Sequence, residues 1–295
     1  MKENVKNKTD KIIMEVGSAS TKIDKYDGEK MTRIETEVIQ FKKNYNKENK
    51  LQDEDIKRLI NLVNRYTSKY QNVYVCGTSI FRTITEEERK QFLENFKKET
   101  GLNFEIIHQE QENEITVKGA TKNLNCKVAV FVGGGGSTEI AIYENGIKEM
   151  VNTKLGVIDI MNKFPDLAED IATTDLETIR ALVKEKLNVP KEKADILILA
   201  GGGHLNFALN SGVNYEENTL YKDAMQPIMM DIETRIRDTK RYYTEISLDS
   251  IRKRVSDPDW WYATRAMTAF VLVVAEAIGA KYIVPTDISM ANGLI

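Results

Sequence analysis

Four consecutive glycines follow an apolar run in the middle of the chain and lead into hydroxyl and carboxyl side chains. The segment Gly133 to Glu139 reads GGGGSTE. Glycines let backbone N–H groups approach an anion without obstruction by side chains, and phosphate is the commonest such anion. Ser137 and Thr138 add hydroxyl donors, and Glu139 is a candidate ligand for a divalent cation that bridges phosphate oxygens. The segment predicts a phosphate-binding loop, with a tight turn of no chemical role as the alternative.

Two further glycine loops support this prediction, because each also follows a strand-like apolar run. They contain Gly17 and the run Gly201 to Gly203. Three such loops could surround one cleft. Arg82, which follows the apolar run ending at Gly77, is a candidate for gripping phosphate with two parallel hydrogen bonds, with an ordinary surface arginine as the alternative.

The carboxylates that could activate water are concentrated in one acidic segment. Four glutamates are candidates: Glu105, Glu110, Glu112 and Glu114. One of them could act as a general base if it faces the cleft, but the same pattern is typical of a solvated helix face, and periodicity does not choose among them. His108 and His204 are more simply interpreted as a helix cap or as spectators.

Two segments with the same pattern position the first two loops. In each, an apolar strand precedes the loop, an alternating strand follows it, and a turn leads to a third strand. One supersecondary unit therefore occurs twice, and strands alternating with helices follow each copy, which indicates an α/β fold. A constant offset aligns five pairs: Gly17/Gly134, Ser20/Ser137, Thr21/Thr138, Ile23/Ile140 and Tyr26/Tyr143.

Length and periodicity predict how the rest of the chain is organised. A chain of 295 residues exceeds the size of one growing core, which predicts domains at 1–124 and 125–295, with a hinge near 123–125. The last helix could pack back on the first domain. Periodicity also predicts a strand over Met31 to Phe41 and a helix over Met225 to Arg237.

Composition excludes several classes of function. The net charge of -3 is spread without a basic stripe, which argues against a nucleic-acid partner. Cys76 and Cys126 lie in apolar runs without metal-type spacing, so we expect buried free thiols and a cytoplasmic protein. The longest apolar run is broken by Glu276 and is too short to span a membrane. The apolar helix over Tyr262 to Ile278 must be covered by core or by a second subunit, so a homodimer is possible.

In chain order, several segments resemble motifs of one family, the exopolyphosphatase and guanosine pentaphosphate phosphohydrolase family. They are the first phosphate loop (Glu15 to Ser20), Gly77 to Arg82, Ile106 to Glu112 followed by Gly119-Ala120, the second phosphate loop (Gly134 to Ile140), Leu155 to Val157, Gly202-Gly203, and the ending from Ser289 to Ile295. The resemblance covers almost the whole chain. It implies a short, two-domain member with two duplicated ribonuclease-H-like (actin-like ATPase) domains. Each domain would have a mixed sheet flanked by helices, with a cleft between the domains.

The resemblance also implies roles for the matched residues. Glu112 and Glu139 would be the catalytic carboxylates, with Glu112 activating water, while Glu15 and Glu139 would hold Mg²⁺ or Mn²⁺. The implied activity is the release of terminal orthophosphate from inorganic polyphosphate or guanosine pentaphosphate by metal-assisted water attack. The implied phosphate-binding residues are Gly17, Ser18, Ser20, Arg82, Gly134, Gly135, Gly136, Ser137, Thr138, Gly202 and Gly203.

Some positions differ from the family pattern and define an alternative hypothesis. Ala19 stands in place of Asn, and Val132 removes a carboxylate expected to help hold metal. These changes motivate a catalytically weakened regulator that binds polyphosphate or a nucleotide. Trp260 and Trp261 lie where the family has Arg, which predicts a different choice of substrate. A sugar or acetate-type kinase is the least favoured hypothesis, because no adenosine motif is evident.

Overall fold

The computed structural model describes residues 7–18, 20–78, 80–253 and 261–295. Ala19 and Trp260, which carried predictions, lie outside the described residues, as does the side chain of Trp261. The chain divides into two compact units, one of residues 1–115 with 290–295 and one of residues 116–289. The sequence placed the boundary at 124/125. The difference arises because the division falls inside a helix, where neither composition nor turn residues mark it.

The first unit begins with a hairpin meander and continues with alternating helices and strands. Its elements are β1 (Asn7–Val16), β2 (Ser20–Tyr26), β3 (Met31–Val38), α1 (Phe41–Glu48), α2 (Asp53–Thr67), β4 (Tyr70–Gly77), α3 (Ile80–Thr83), α4 (Glu86–Thr100), β5 (Phe104–Ile106) and the start of α5 (Gln109–Thr121).

The second unit repeats the meander and adds strands and helices after it. Its elements after α5 are β6 (Val128–Gly133), β7 (Thr138–Tyr143), β8 (Ile147–Thr153), α6 (Val157–Lys163), α7 (Leu176–Lys186), β9 (Ile196–Ala200), α8 (His204–Asn210), β10 (Glu216–Glu217), β11 (Ile228–Asp231), α9 (Ile232–Thr244), α10 (Leu248–Arg252), α11 (Thr264–Ile278) and β12 (Tyr282–Pro285). The final helix, α12 (Met290–Gly293), belongs to the first unit and contacts β1.

The two sheets have the same central strand order. In the first unit the order is β3-β2-β1-β4-β5, with β1 antiparallel to β2 and parallel to β4. In the second unit the order β8-β7-β6-β9-β12 repeats that arrangement, and β11 and β10 extend the sheet beyond β12. Two mixed sheets with one topology confirm the predicted duplicated ribonuclease-H-like fold.

Buried apolar side chains hold each sheet against its helices. In the first unit, Phe81, Phe92 and Phe104 pack against one another, with ring centroids 4.9 to 5.1 Å apart. In the second unit, α11 is buried along most of its length and packs against α7 and α9. The apolar surface of α11 is therefore covered by the core of its own unit, as its sequence required. The homodimer stays a prediction. Among the residues described, no helix is both long and apolar enough to cross a bilayer.

Two predicted elements are wrong in part. The strand predicted over Met31 to Phe41 ends at Val38, and Phe41 begins α1 because its ring packs into the core against Phe81, with ring centroids 5.2 Å apart. The helix predicted from Met225 begins only after Asp231, whose side chain accepts a hydrogen bond from the Thr234 N–H. The residues just before it pair with β12 as strand β11. Sheet pairing at a distance overrides local helical spacing there.

Candidate functional site

The two phosphate loops form the same turn. The Gly17 N–H donates to the Ser20 carbonyl at 2.9 Å, and the Gly134 N–H donates to the Ser137 carbonyl at 2.9 Å. The strands that flank the turns pair in the same register, so Thr21 and Thr138 are equivalent. The offset predicted from the sequence is therefore confirmed, and the loops are copies of one structural unit.

In the first unit, the predicted residues lie at one edge of the sheet. β1, β4 and β5 are parallel, so their carboxyl ends share an edge, where ligands of such sheets usually bind. The Thr78 N–H donates to the Val16 carbonyl at 3.1 Å, and the Ile107 N–H donates to the Gly77 carbonyl at 3.0 Å. These bonds join the first loop to the segments that carry Arg82 and Glu112.

Arg82 and Glu112 contact each other directly. The Arg82 Nη1 donates to a carboxylate oxygen of Glu112 at 2.6 Å and to the Ile107 carbonyl at 2.9 Å. Within the described part of the chain, no residue accepts a hydrogen bond from the other guanidinium nitrogens of Arg82. Arg82 is partly buried, and its guanidinium is held in place with donors left over for a ligand.

The structure distinguishes Glu112 from the other candidate glutamates. Glu110 and Glu114 are exposed on α5, while Glu105 accepts a hydrogen bond from the Tyr74 hydroxyl at 2.7 Å. Glu112 is the member of the set that meets Arg82. The arrangement brings together the predicted phosphate-binding cation and the predicted base within one unit.

Glu15 was predicted to hold a metal ion, and its surroundings fit a cation. The residue is 8% exposed, and its Oε2 is a buried oxygen without a hydrogen-bond partner among the described residues. Its Oε1 lies 3.6 Å from the Lys22 Nζ, directly across the β1/β2 pairing. One carboxylate oxygen thus retains acceptor capacity, while the other already faces a positive charge.

Lys22 is a candidate residue that the motifs did not reveal. It lies opposite Glu15 in the β1/β2 pairing, two residues after the first loop ends at Ser20. An ammonium group at this position can contact phosphate. The repeat contained a usable signal, because the offset that pairs Thr21 with Thr138 also pairs Lys22 with Glu139. The two copies therefore carry opposite charges at one position.

In the second unit, the second and third loops share an edge of the sheet. β6, β9 and β12 are parallel and end at this edge. The Gly201 N–H donates to the Ile288 carbonyl at 2.8 Å, and the Thr286 N–H donates to the Leu199 carbonyl at 3.0 Å. Gly201 has φ of +83°, a left-handed conformation that favours glycine. Gly202 and Gly203 follow it and lead into α8.

The Thr138 hydroxyl has a partner within the protein. Thr138 is 2% exposed, and its hydroxyl donates to the Leu155 carbonyl at 2.7 Å. A hydroxyl has one proton to donate, so that proton is directed at Leu155 here, and phosphate binding by Thr138 stays a prediction. The contact ties the loop to the chain that leads into α6. Ser137 and Gly134 to Gly136 are more accessible and remain candidates for ligand contact.

Glu139 and Val132 are directly opposed in the β6/β7 pairing and project to the same face of the sheet. Glu139 is 4% exposed. Val132 packs beside the third loop, since a Cβ added at Gly201 would lie 2.8 Å from the Val132 Cγ1. An apolar side chain therefore occupies the place where the family pattern has a carboxylate, which leaves Glu139 as the predicted acidic ligand of this unit.

Metal binding would rely on few protein ligands. Within the described residues, no group of three or more His, Cys, Asp or Glu side chains is placed to hold an ion. Mg²⁺ is commonly held by one or two carboxylates together with substrate phosphates and water, and each unit by itself contains one predicted carboxylate ligand, Glu15 in the first and Glu139 in the second. The prediction of Mg²⁺ or Mn²⁺ stays a prediction.

His204 begins α8 directly after the third loop, and its Nε2 is a buried atom without a hydrogen-bond partner among the described residues. Burial, with a smaller contribution from the Arg235 charge, lowers the pKa of His204 from 6.5 to about 4. The ring is therefore neutral near pH 7, which gives it no cationic role toward phosphate at that pH.

We expect this histidine to make the protein less stable in mild acid. Because the folded pKa is below the unfolded one, the unfolded chain binds more protons between pH 6.5 and pH 4. The contribution of neutral His204 to the free energy of unfolding is present above pH 6.5. As the pH falls toward 4, the free energy of unfolding decreases by up to about 3 kcal/mol. Urea unfolding of the wild type and His204→Gln at several pH values measures it. Equal pH dependence in both proteins would contradict the assignment.

Comparison with known proteins identifies the family and agrees with the fold. A model described as the Ppx/GppA phosphatase family matches residues 22–242. The Aquifex aeolicus Ppx/GppA phosphatase has a TM-score of 0.73 and 17% identity, with 97% of this chain and 98% of that chain covered. An exopolyphosphatase from Cytophaga hutchinsonii has a TM-score of 0.74 and 16% identity, with 96% of each chain covered. At these identities the structural likeness shows the fold alone. No curated protein sequence matches the chain significantly.

Proposed function

Because the chain belongs to the Ppx/GppA phosphatase family, we propose that it releases terminal orthophosphate from inorganic polyphosphate or guanosine pentaphosphate. The observation that carries the proposal is the contact between Arg82 and Glu112 at the edge of the first sheet. A carboxylate and a guanidinium held together in this way can act on a water molecule and on the phosphoryl group that it attacks.

Arg82 is assigned to the terminal phosphoryl group. Its Nη1 is anchored by the Ile107 carbonyl and by Glu112, so the planar guanidinium is already oriented before a ligand arrives. The remaining donors suit phosphate oxygens, which accept bidentate hydrogen bonds from arginine. Charge on those oxygens is stabilised without rearrangement of the side chain, which favours the transition state of phosphoryl transfer.

Glu112 is assigned to the attacking water. The carboxylate accepts a proton from water as the oxygen attacks phosphorus, and the bond from phosphorus to the bridging oxygen breaks, so that orthophosphate and a chain shorter by one phosphate are formed. A divalent cation, when bound, would neutralise phosphate charge, and the carboxylate that would hold it is Glu15 in the first unit or Glu139 in the second.

The glycine loops are assigned to the phosphates that are not cleaved. The backbone N–H groups of the first and second loops are neutral donors that can bind any phosphate group of a polyphosphate. They therefore suit a repeating polyanion without selecting the length of the polyphosphate. Lys22 adds a positive charge next to the first loop. Phosphate binding by each loop is thus supported by geometry that belongs to its own unit.

Phosphate release from defined substrates tests the proposed function. Purified protein is incubated with long-chain polyphosphate, tripolyphosphate or guanosine pentaphosphate, each with Mg²⁺, Mn²⁺ or a chelator. We expect metal-dependent release of orthophosphate from at least one of these substrates. Absence of release from all of them would contradict the proposal, and calorimetric binding of polyphosphate without release would support the regulator hypothesis in its place.

A further inference from the structure

The N terminus of α6 is packed directly against the second phosphate loop. The Val157 N–H donates to the Gly134 carbonyl at 3.1 Å, and the Ile158 N–H donates to the Gly135 carbonyl at 2.9 Å. The first N–H groups of a helix have no partner within the helix. Here the carbonyl groups of the loop act as the helix cap, so the helix and the loop determine each other's position.

These two hydrogen bonds orient the loop's own donors. In a trans peptide unit, the C=O and N–H groups point in opposite directions. Because the carbonyls of Gly134 and Gly135 point toward α6, the N–H groups of Gly135 and Gly136 point away from it. No residue in the described ranges accepts a hydrogen bond from either group. These N–H groups are the donors that the loop can offer to an anion.

Gly156 is the residue that allows this close approach. Its φ of -127° and ψ of 179° are accessible to any residue, so backbone strain does not explain glycine here. Lack of space explains the glycine, because an added Cβ would collide with the Gly135 carbonyl group and the Gly136 nitrogen. Those atoms belong to the backbone, so no change of rotamer can relieve the collision.

Contacts on both sides of Gly156 hold the chain in place. The Gly156 N–H donates to the Asp159 carboxylate at 2.8 Å, and the Thr138 hydroxyl donates to the preceding Leu155 carbonyl. The first unit has an equivalent helix contact, since the Lys42 N–H of α1 donates to the Ser18 carbonyl at 2.9 Å. The helix that follows the third strand thus contacts the loop in both copies of the repeat.

We propose that Gly156 is a positioning residue that directs the N–H groups of Gly135 and Gly136 toward a bound phosphate. The proposal rests on the function proposed above only in taking phosphate as the ligand. A side chain at residue 156 must push the loop away from α6 and misdirect both donors, so it lowers ligand affinity in addition to weakening the cap of the helix.

Gly156→Ala tests the proposal with inorganic tripolyphosphate as the probe, in the full chain with Mg²⁺, by titration calorimetry. We expect binding to weaken by about 10- to 100-fold, because hydrogen bonds to a charged ligand are lost. Ile160→Val is the matched control, since Ile160 is fully buried in the same helix and its apolar side chain can accept no hydrogen bond from the loop's donors. The control should lower the thermal midpoint while leaving the affinity unchanged.

A Gly156→Ala protein that binds tripolyphosphate as tightly as the wild type would overturn the proposal, as would a wild type that binds none. If the wild type binds tripolyphosphate but hydrolyses no substrate, the proposed phosphatase function is wrong. The comparison of affinities between the wild type and Gly156→Ala then still tests the role of Gly156. If Gly156→Ala does not fold, Thr138→Val and Thr138→Ser take its place. Thr138→Val removes the hydroxyl and should weaken tripolyphosphate binding, whereas Thr138→Ser keeps the hydroxyl and should not. Equal affinity of the two variants would overturn the proposal.

Discussion

Glu112→Gln is expected to lower the turnover number for phosphate release by about 10²- to 10⁴-fold, the usual contribution of a general base. An amide oxygen can still accept a hydrogen bond from Arg82, so the contact at the sheet edge is retained while the group that takes the proton is removed. The loss should therefore appear in kcat, with a small effect on KM. Steady-state phosphate release from the best substrate measures both quantities.

Two neighbouring glutamates provide matched controls for this variant. Glu110 and Glu114 lie on the same helix and are exposed, so Glu110→Gln and Glu114→Gln change the charge of α5 equally without touching Arg82. We expect both to retain turnover close to that of the wild type. If all three variants behaved alike, the assignment of Glu112 as the base would be wrong.

Arg265→Met is expected to destabilise the second unit by about 3 to 5 kcal/mol, because five carbonyl groups lose the donors of one buried side chain. Arg265 is 1% exposed at the start of α11. Each of its five N–H donors meets a backbone carbonyl. The acceptors, at 2.7 to 3.3 Å, are Leu167, Glu169, Asp170, Tyr242 and Ile246.

The stability loss has a clear physical origin. Methionine keeps much of the aliphatic volume but leaves buried carbonyl groups without donors, and each carries a desolvation cost. Urea unfolding followed by circular dichroism measures the change. Arg237→Met is the control, because Arg237 is exposed on α9 and its loss should change stability by less than about 0.5 kcal/mol. Equal midpoints for the two variants would contradict the structural role of Arg265.

The duplicated fold was predictable because its signals are local. Alternating apolar residues, hairpin turns and glycines after strands report burial and backbone conformation over a few residues. The offset between Gly17 and Gly134 therefore specified two copies of one β-loop-β unit, and the strand registers confirm it. The helix predicted before Asp231 failed for the opposite reason, because β11 forms by pairing with strands that are distant in the chain, β10 before it and β12 some 50 residues further along.

The sequence by itself determined the fold class, the family and the positions of the glycine loops. Tertiary structure decided which polar side chains meet. Spacing could not select Glu112 among four glutamates, since its contact with Arg82 depends on the order of parallel strands. Spacing also could not reveal the ion pair of Lys22 with Glu15, the hydrogen bond from the Thr138 hydroxyl to the Leu155 carbonyl, or the close approach of Gly156 to the second loop. Local conformation is encoded by neighbouring residues, whereas hydrogen bonds and space at the loops depend on chain segments that only the folded sheet brings together.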